Sequence, residues 1–257
     1  MTTRSVHRYG DGSSQVAELF LPPGPGPFPV AVVVHGGYWK ARYDRSLMTD
    51  VCLDLAQHGL AAWNIEYRRM GADGGWPHTF LDVAAATDAL ADLDAPLDLD
   101  RVVAVGHSAG GHLAFWLAAR PMLPPWSPGA SPRVPILAAV SQAGVLDLHL
   151  AATLEPSDEP TRALLGDPRA HPEVYELASP RALLPLRIPQ LVLHGDRDEV
   201  VSMRIAEAYT QAAEEAGDSC ELVLLDETDH MEHVDPATDA WRVARDWLVR
   251  YASDARS

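Results

Sequence analysis

Short apolar runs alternate with longer segments of helical periodicity along most of the chain. The apolar runs have the length and β-branched content of buried strands, and they lie at residues 16–21, 30–34, 60–65, 101–105, 136–141, 190–195 and 221–225. Apolar residues recur at helical spacing in residues 45–58, 80–93, 111–119, 202–216 and 237–251. Strands that alternate with helices predict an α/β protein with a mostly parallel sheet flanked by helices on both faces. The first apolar run alternates with polar residues, which predicts a strand at the sheet edge.

Residues 149–186 interrupt this alternation with several prolines and short helical patterns. The segment is too small to be an independent domain, so we predict one domain over residues 1–257. Ligands of parallel α/β sheets bind at the carboxyl ends of the strands, where the loops carry function. We therefore predict that residues 149–186 form a small cap over the site, the alternative being a plain surface excursion.

Composition and charge narrow the class of protein. A chain of 257 residues with 47% apolar and 22% charged residues is typical of a globular domain with a substantial core. The net charge of −16 argues against nucleic acid or an anionic membrane as a partner. The N-terminus lacks the apolar core of a signal peptide, and no apolar run has the length of a membrane span. We predict a cytoplasmic protein, either a monomer or a homodimer.

Residues 106–110 spell G-H-S-A-G and follow the apolar run at 101–105 directly. A strand that leads into G-x-S-x-G and then into a helix is the signature of a nucleophile elbow. The small neighbours of the serine are needed because the backbone turns sharply there. This context predicts that Ser108 is a catalytic nucleophile.

A serine hydroxyl needs a base within hydrogen-bond reach, and the base needs an orienting acid. With this type of elbow the three follow in the order serine, acid, histidine. The acid is expected after the apolar run 190–195, and we predict Asp198. Asp196 and Glu199 are the alternatives in the same loop, and Asp196 is expected to shape the turn.

The base is expected between the last strand and the last helix. His230 lies closer to the end of the strand than His233, so we predict His230 as the base. His233 is then expected at the surface or at the rim of the pocket.

Acyl transfer also needs hydrogen-bond donors for the oxyanion that develops on the substrate. The backbone N–H of Ala109, directly after the nucleophile, is one predicted donor. The loop after the apolar run 30–34 contains Gly36 and Gly37, and its N–H groups at Gly37 and Tyr38 are the other predicted donors. We expect His35 to anchor this loop.

Aromatic residues follow the first strands at the end where ligands bind. Trp39, Tyr67 and Trp76 are therefore predicted to line an apolar substrate pocket. The alternative for Trp39 is that it packs against the core under the oxyanion loop.

Patterns for metals and cofactors are missing from the sequence. The histidines have no metal-ligand spacing, and Cys52 and Cys220 lie too far apart in sequence for a metal motif or a disulfide framework. No glycine-rich phosphate-binding pattern follows a strand. We expect neither a metal nor a cofactor.

Together these segments resemble the α/β-hydrolase fold over about residues 16–250. The H-G-G-Y-W sequence at residues 35–39 is similar to the H-G-G-x-W oxyanion motif of an esterase, lipase and kynurenine formamidase group. Hormone-sensitive-lipase-like esterases usually carry a third glycine where this chain has Tyr38, which favours the formamidase-like or small-ester subtype. The resemblance implies serine acyl transfer without a cofactor. The residues that it carries over are Ser108, Asp198 and His230 as the triad, with Gly37, Tyr38 and Ala109 as oxyanion donors.

We therefore predict a serine hydrolase that cleaves a small carboxylic ester through an acyl-enzyme. An arylformamidase that hydrolyses an amide of the N-formylkynurenine type is the first alternative. A peptidase and a non-catalytic binding protein with the same fold are the others. The fold alone does not decide among them, because one fold can carry many functions.

Overall fold

The strands form one sheet in the described residues, 1–154 and 160–254, of this computed structural model. The strand bounds are Thr3–Arg8 (β1), Val16–Leu21 (β2), Phe28–Val34 (β3), Ala61–Ile65 (β4), Leu97–His107 (β5), Ala138–Gln142 (β6), Gln190–Gly195 (β7) and Cys220–Leu225 (β8). Their order across the sheet is β1-β2-β4-β3-β5-β6-β7-β8. The pairs β1–β2 and β2–β4 are antiparallel, and the remaining pairs are parallel. The predicted mostly parallel sheet is confirmed.

Helices cover both faces of the sheet. Their bounds are Thr49–Gln57 (α1), His78–Asp88 (α2), Ala109–Ala119 (α3), Leu148–Leu154 (α4), Pro160–Leu165 (α5), Pro172–Ala178 (α6), Met203–Glu215 (α7) and Asp239–Asp254 (α8). Helices α1 and α8 pack on one face, and α2, α3 and α7 pack on the other. The predicted helical segments end within a few residues of these bounds, except that single 3-10 turns precede α1 and follow α2.

Strand β3 shows why the sheet is buried on both faces. Val30, Val32 and Val34 belong to the core under α2, α3 and α7, and Ala31 and Val33 belong to the core under α1 and α8. Successive side chains of a strand point to opposite faces, so a continuous apolar run supplies both layers.

The edge strand differs from the prediction. β1 pairs with β2 from Thr3↔Leu21 to Arg8↔Val16, so β2 lies inside the sheet. The prediction that residues 16–21 form the edge is therefore wrong. β1 is mostly exposed and polar, and its Val6 is 57% exposed. Edge strands of this kind carry little apolar pattern.

The chain between β6 and β7 folds into short helices. Of the predicted cap, residues 155–159 lie outside the described residues. Helix α6 is fastened to α3 by two ring nitrogens: Trp116 Nε1 donates to the carbonyl of Leu177 at 2.9 Å, and His112 Nε2 donates to the carbonyl of Ala178 at 2.9 Å. These bonds hold α6 beside the helix that follows Ser108.

Candidate active site

The nucleophile elbow is formed where β5 ends and α3 begins. Ser108 has φ +55° and ψ −122°, a conformation that non-glycine residues rarely adopt. Its backbone N–H donates to the carbonyl of Gln142 on β6 at 2.8 Å. A Cβ on Gly106 would collide with the backbone of Gly110, and one on Gly110 would collide with the carbonyl of Val34. The predicted serine is therefore held in a strained turn that only small neighbours allow.

The structure brings the predicted acid and base together. Asp198 lies after β7 and His230 lies after β8, and His230 Nδ1 donates to Asp198 Oδ2 at 2.7 Å. Asp198 Oδ1 accepts from the backbone N–H groups of Val200 and Val201 at 2.8 and 2.9 Å. A proton fixed on Nδ1 leaves the Nε2 lone pair of His230 free to accept a proton.

The environment of Asp198 keeps its carboxylate ionised. Burial of the group would raise its pKa, but the hydrogen bond and charge of His230 and the two backbone donors outweigh burial and lower the pKa below its usual value. The alternative acids in this loop, Asp196 and Glu199, are exposed, whereas the Asp198 side chain is 1% exposed. Of the three, the described hydrogen bonds join only Asp198 to His230.

His233 does not lie at the surface or the pocket rim, which corrects the expectation from the sequence. It is fully buried on a single 3-10 turn, Glu232–Val234. Within the described residues neither of its ring nitrogens has a hydrogen-bond partner. Burial lowers the pKa of His233 to about 4, and the neighbouring His194 and His230 add to this effect. The ring is therefore neutral, and its centroid lies 6.3 Å from that of His107.

A histidine that the sequence analysis left aside fastens the base to the elbow. His107, the residue before the nucleophile, donates from Nε2 to the carbonyl of His230 at 2.8 Å, and the two ring centroids lie 4.5 Å apart. Burial lowers the pKa of His107 well below its usual value, and His230 and His233 lower it further. His107 is thus a neutral spacer between nucleophile and base. The only feature of the sequence that could have indicated this role is the position of His107 inside the elbow motif.

The predicted oxyanion loop follows β3 with three successive left-handed residues. Gly37, Tyr38 and Trp39 have φ values of +109°, +55° and +54°. A Cβ on Gly36 would lie 2.7 Å from the carbonyl oxygen of His107 and 3.0 Å from the Cβ of Ser108, so the loop abuts the elbow. The three left-handed residues change the direction of the backbone where the loop lies beside the serine.

His35 anchors the oxyanion loop through four contacts. Its Nδ1 is hydrogen-bonded to the carbonyl of Gly36 at 2.8 Å, and its Nε2 to Glu66 Oε1 at 2.9 Å. The ring of Tyr67 stacks on it at 4.4 Å, and the Tyr67 hydroxyl donates to the His35 carbonyl at 2.9 Å. These contacts leave His35 and Tyr67 fully buried, as a support for the loop.

A cleft of about 730 Å³ lies above the elbow. Among the predicted pocket residues, Trp39 lines this cleft. Tyr67 is buried behind the oxyanion loop, and Trp76 packs on Phe80 with ring centroids 4.9 Å apart. In the described part of the chain neither Tyr67 nor Trp76 lines the cleft, which corrects the prediction for both.

Several apolar lining residues were missed by the sequence analysis. They come from segments far apart in sequence, namely Val145, Ala151, Leu154, Pro160, Val201 and Ile205. Ala151 and Leu154 belong to α4 and Pro160 to α5, inside the segment predicted as a cap. Pattern alone gives no sign of which apolar residues of a short helix face a cleft.

The described residues contain neither a cluster of metal-ligating side chains nor a membrane-spanning helix. Among residues 1–154 and 160–254, no group of three or more His, Cys, Asp or Glu side chains could hold a metal ion. No helix in that part of the chain combines the length and apolar character needed to cross a membrane.

The elbow serine, the acid after β7 and the histidine after β8, all at one edge of a mostly parallel sheet, define a protein of the α/β-hydrolase fold. The esterase B from Lactobacillus rhamnosis shares the fold with a TM-score of 0.84 at 19% identity, over 99% of this chain and 87% of that chain. The chain belongs to the BD-FAE family, whose pattern matches residues 18–212.

Two curated relatives carry esterase names. The chain is 32% identical over 197 residues to the probable carboxylic ester hydrolase LipM of Mycobacterium tuberculosis, a match that covers 72% of this chain and 44% of that protein. It is 28% identical to esterase LipQ of the same organism, over 74% of this chain and 46% of that protein. The chain thus spans slightly less than half the length of these relatives.

Proposed function

We propose that this chain is a serine hydrolase that cleaves small carboxylic esters. The observation that carries the proposal is the strained Ser108 in a cleft that Asp198 also lines, with His230 hydrogen-bonded to Asp198 at 2.7 Å. The esterase names of the two mycobacterial relatives support the same class of reaction.

The proposed reaction proceeds in two halves. Ser108 Oγ attacks the ester carbonyl carbon while His230 Nε2 takes its proton, and the carbonyl electrons move to the oxygen. Backbone N–H groups of Gly37, Tyr38 and Ala109 are proposed to hold that oxyanion. The intermediate collapses, the C–O bond to the alcohol breaks, and His230 returns the proton to the departing alkoxide.

The second half removes the acyl group from the serine. Water attacks the acyl-enzyme while His230 takes its proton, and the acid leaves as the proton returns to Ser108 Oγ. Asp198 stays ionised throughout, because its lowered pKa keeps it charged and able to stabilise the His230 imidazolium.

We also propose that residues 149–186 act as a cap of the cleft. Ala151, Leu154 and Pro160 line the same cleft as Ser108, and the Trp116 and His112 hydrogen bonds join α6 to α3. A cap of this size in a cleft of about 730 Å³ suits small esters better than polymer chains. A cytoplasmic location and a monomeric or dimeric state stay predictions from the sequence.

Paired turnover measurements test the proposed reaction and its alternatives. Wild-type protein and a Ser108→Ala blank are given p-nitrophenyl acetate and N-formylkynurenine. We expect ester turnover that Ser108→Ala abolishes. A kcat/KM on the formamide far above that on the ester would instead make the chain an arylformamidase. A folded wild-type protein that binds both compounds without turnover would be a non-catalytic binding protein.

A further inference from the structure

The cleft carries two cations in an otherwise acidic protein. The chain has a net charge of −16 and contains a single lysine, Lys40. Lys40 directly follows the oxyanion loop, and both Lys40 and Arg42 line the cleft that holds Ser108. Positive charge at the cleft of an otherwise acidic chain favours the entry of anionic ligands.

The backbone that presents these cations is fixed. Lys40 N–H donates to the carbonyl of Gly37 at 2.9 Å, and Tyr43 N–H donates to the carbonyl of Lys40 at 3.2 Å. A parallel bridge joins Lys40 to Met70, in which Met70 N–H donates to the carbonyl of Trp39 at 2.8 Å. Because these bonds hold the segment on both sides, the backbone at Lys40 and Arg42 has a defined position relative to the elbow.

The two charged heads rest on aromatic rings and not on carboxylates. Lys40 Nζ lies 5.6 Å from the ring centre of Tyr38, and the Arg42 guanidinium lies 4.7 Å from that of Tyr43. Among the described residues, no carboxylate lies within 4.0 Å of either head. Ring contacts of this kind orient a cation and leave its N–H groups available to an anion.

The acidic groups that share the cleft do not cancel these charges. Asp198 is engaged by His230 and by two backbone N–H groups. Glu199 is exposed and also lines the cleft. The described wall therefore offers two uncompensated cations against one free carboxylate.

We propose that Lys40 and Arg42 form a cationic subsite that binds a carboxylate of the substrate, so that the preferred esters carry an ionised carboxylate apart from the scissile bond. The inference rests on the proposed ester hydrolysis and names its substrate class. Charge-assisted hydrogen bonds from an ammonium and a guanidinium are the interactions that hold such a group. The carboxylate sits on the acyl chain or on the alcohol, and the test separates the two.

Two matched pairs of esters test the subsite. The acyl pair is mono-p-nitrophenyl glutarate, which is anionic, and p-nitrophenyl pentanoate, which is neutral. The alcohol pair is 4-carboxyphenyl acetate and phenyl acetate. The quantity measured is the selectivity ratio, the kcat/KM of the anionic ester divided by that of its neutral match. Taking this ratio cancels losses that affect both esters equally.

We expect Lys40→Met and Arg42→Gln each to lower the selectivity ratio of one pair of esters by about fivefold. This is the effect expected from the loss of one partly exposed charge–charge interaction. Arg250→Gln is the matched control, because Arg250 lies exposed over the ring of Tyr251 at 5.0 Å on α8 and does not line the cleft. Its ratio should equal that of the wild type. Salt at about 0.5 M should lower the wild-type ratio towards those of the variants.

The outcomes separate the subsite from the reaction itself. Selectivity ratios that stay unchanged in both pairs for Lys40→Met and Arg42→Gln overturn the cationic subsite while leaving ester hydrolysis standing. Folded wild-type protein that hydrolyses none of the four esters counts against the proposed function instead. A drop in the acyl pair alone places the carboxylate on the acid, and a drop in the alcohol pair alone places it on the alcohol.

Discussion

His107 Nε2 donates a hydrogen bond of 2.8 Å to the backbone carbonyl of His230, although 123 positions separate the two residues in the sequence. The bond joins the last residue of β5 to the loop after β8, and so sets the distance between the nucleophile segment and the base segment. Catalytic geometry of this kind is sensitive to displacements of about 1 Å.

Loss of this bond should lower turnover without removing any reacting group. We expect His107→Leu to reduce kcat by about tenfold or more, because the His230 loop can then shift relative to Ser108. His107→Gln keeps a side-chain N–H donor and should retain more activity. Steady-state kinetics with matched circular dichroism spectra measure the effect. Equal losses in His107→Leu and His107→Gln would show that the hydrogen bond does not position the base.

The same substitution should lower kcat far more at His230 than at His233. His230→Leu removes the proposed base, and we expect kcat to fall by about 10³-fold or more. His233→Leu replaces a buried ring without hydrogen-bond partners by an apolar side chain, so kcat should fall less than tenfold. Thermal melts recorded beside the kinetics separate folding from chemistry. If His233→Leu proves as damaging to kcat as His230→Leu, the assignment of the base is wrong.

The free energy of unfolding should decrease as pH is lowered through a window set by the buried histidines. His112 and His233 have pKa values lowered to about 4, mainly by burial, from about 6.5 in the unfolded chain. Below pH 6.5 the unfolded chain therefore binds protons that the folded chain does not. Each ring then contributes stability of up to about 3 kcal/mol that is lost as pH falls from 6.5 towards 4.

Urea denaturation at pH 7 and at pH 4.5 measures this loss. His233→Leu should lose about 1 to 3 kcal/mol less than the wild type over this range, because one titrating ring has been removed. Ser108→Ala changes no titrating group and serves as the control. Its free energy of unfolding should change between pH 7 and pH 4.5 by the same amount as that of the wild type. If the free energy of unfolding changed by the same amount in His233→Leu and in the wild type, the buried, neutral state of His233 would be contradicted.

Glycines at the elbow should tolerate alanine far less than glycines in open turns. A Cβ on Gly110 would collide with the carbonyls of Val34 and His35. A Cβ on Gly217 would meet nothing within 4 Å, so the only cost there is the positive φ of +84°. We expect Gly110→Ala to cost more than about 3 kcal/mol or to prevent folding. Gly217→Ala should cost about 1 kcal/mol. Soluble yield and urea midpoints compare the two variants, and equal midpoints would speak against close packing at the elbow.

The sequence predicted the parallel sheet and the three residues of the proposed triad for local reasons. Buried strands such as β3 need apolar side chains on both faces, and the elbow at Ser108 needs glycines beside it, so both leave a contiguous pattern. The edge strand β1 left no pattern, because its exposed residues carry no apolar requirement.

The lining of the cleft was less predictable for a physical reason. Tyr67 and Trp76 follow strands at the correct end of the sheet, but the direction of a loop side chain depends on the loop's own hydrogen bonds. The Tyr67 hydroxyl reaches the carbonyl of His35, which turns the ring behind the loop. His233 was misplaced for a related reason, since the single 3-10 turn Glu232–Val234 places its side chain in the interior.

The central claim is that Ser108 forms a covalent acyl intermediate. Its most direct test is intact-mass and peptide mapping after inactivation by diethyl p-nitrophenyl phosphate, which phosphorylates an activated serine and releases p-nitrophenol. We expect one adduct per chain, located on Ser108, with ester turnover lost in proportion to labelling and no adduct in Ser108→Ala. An adduct on another residue, or full ester turnover in Ser108→Ala, would contradict it.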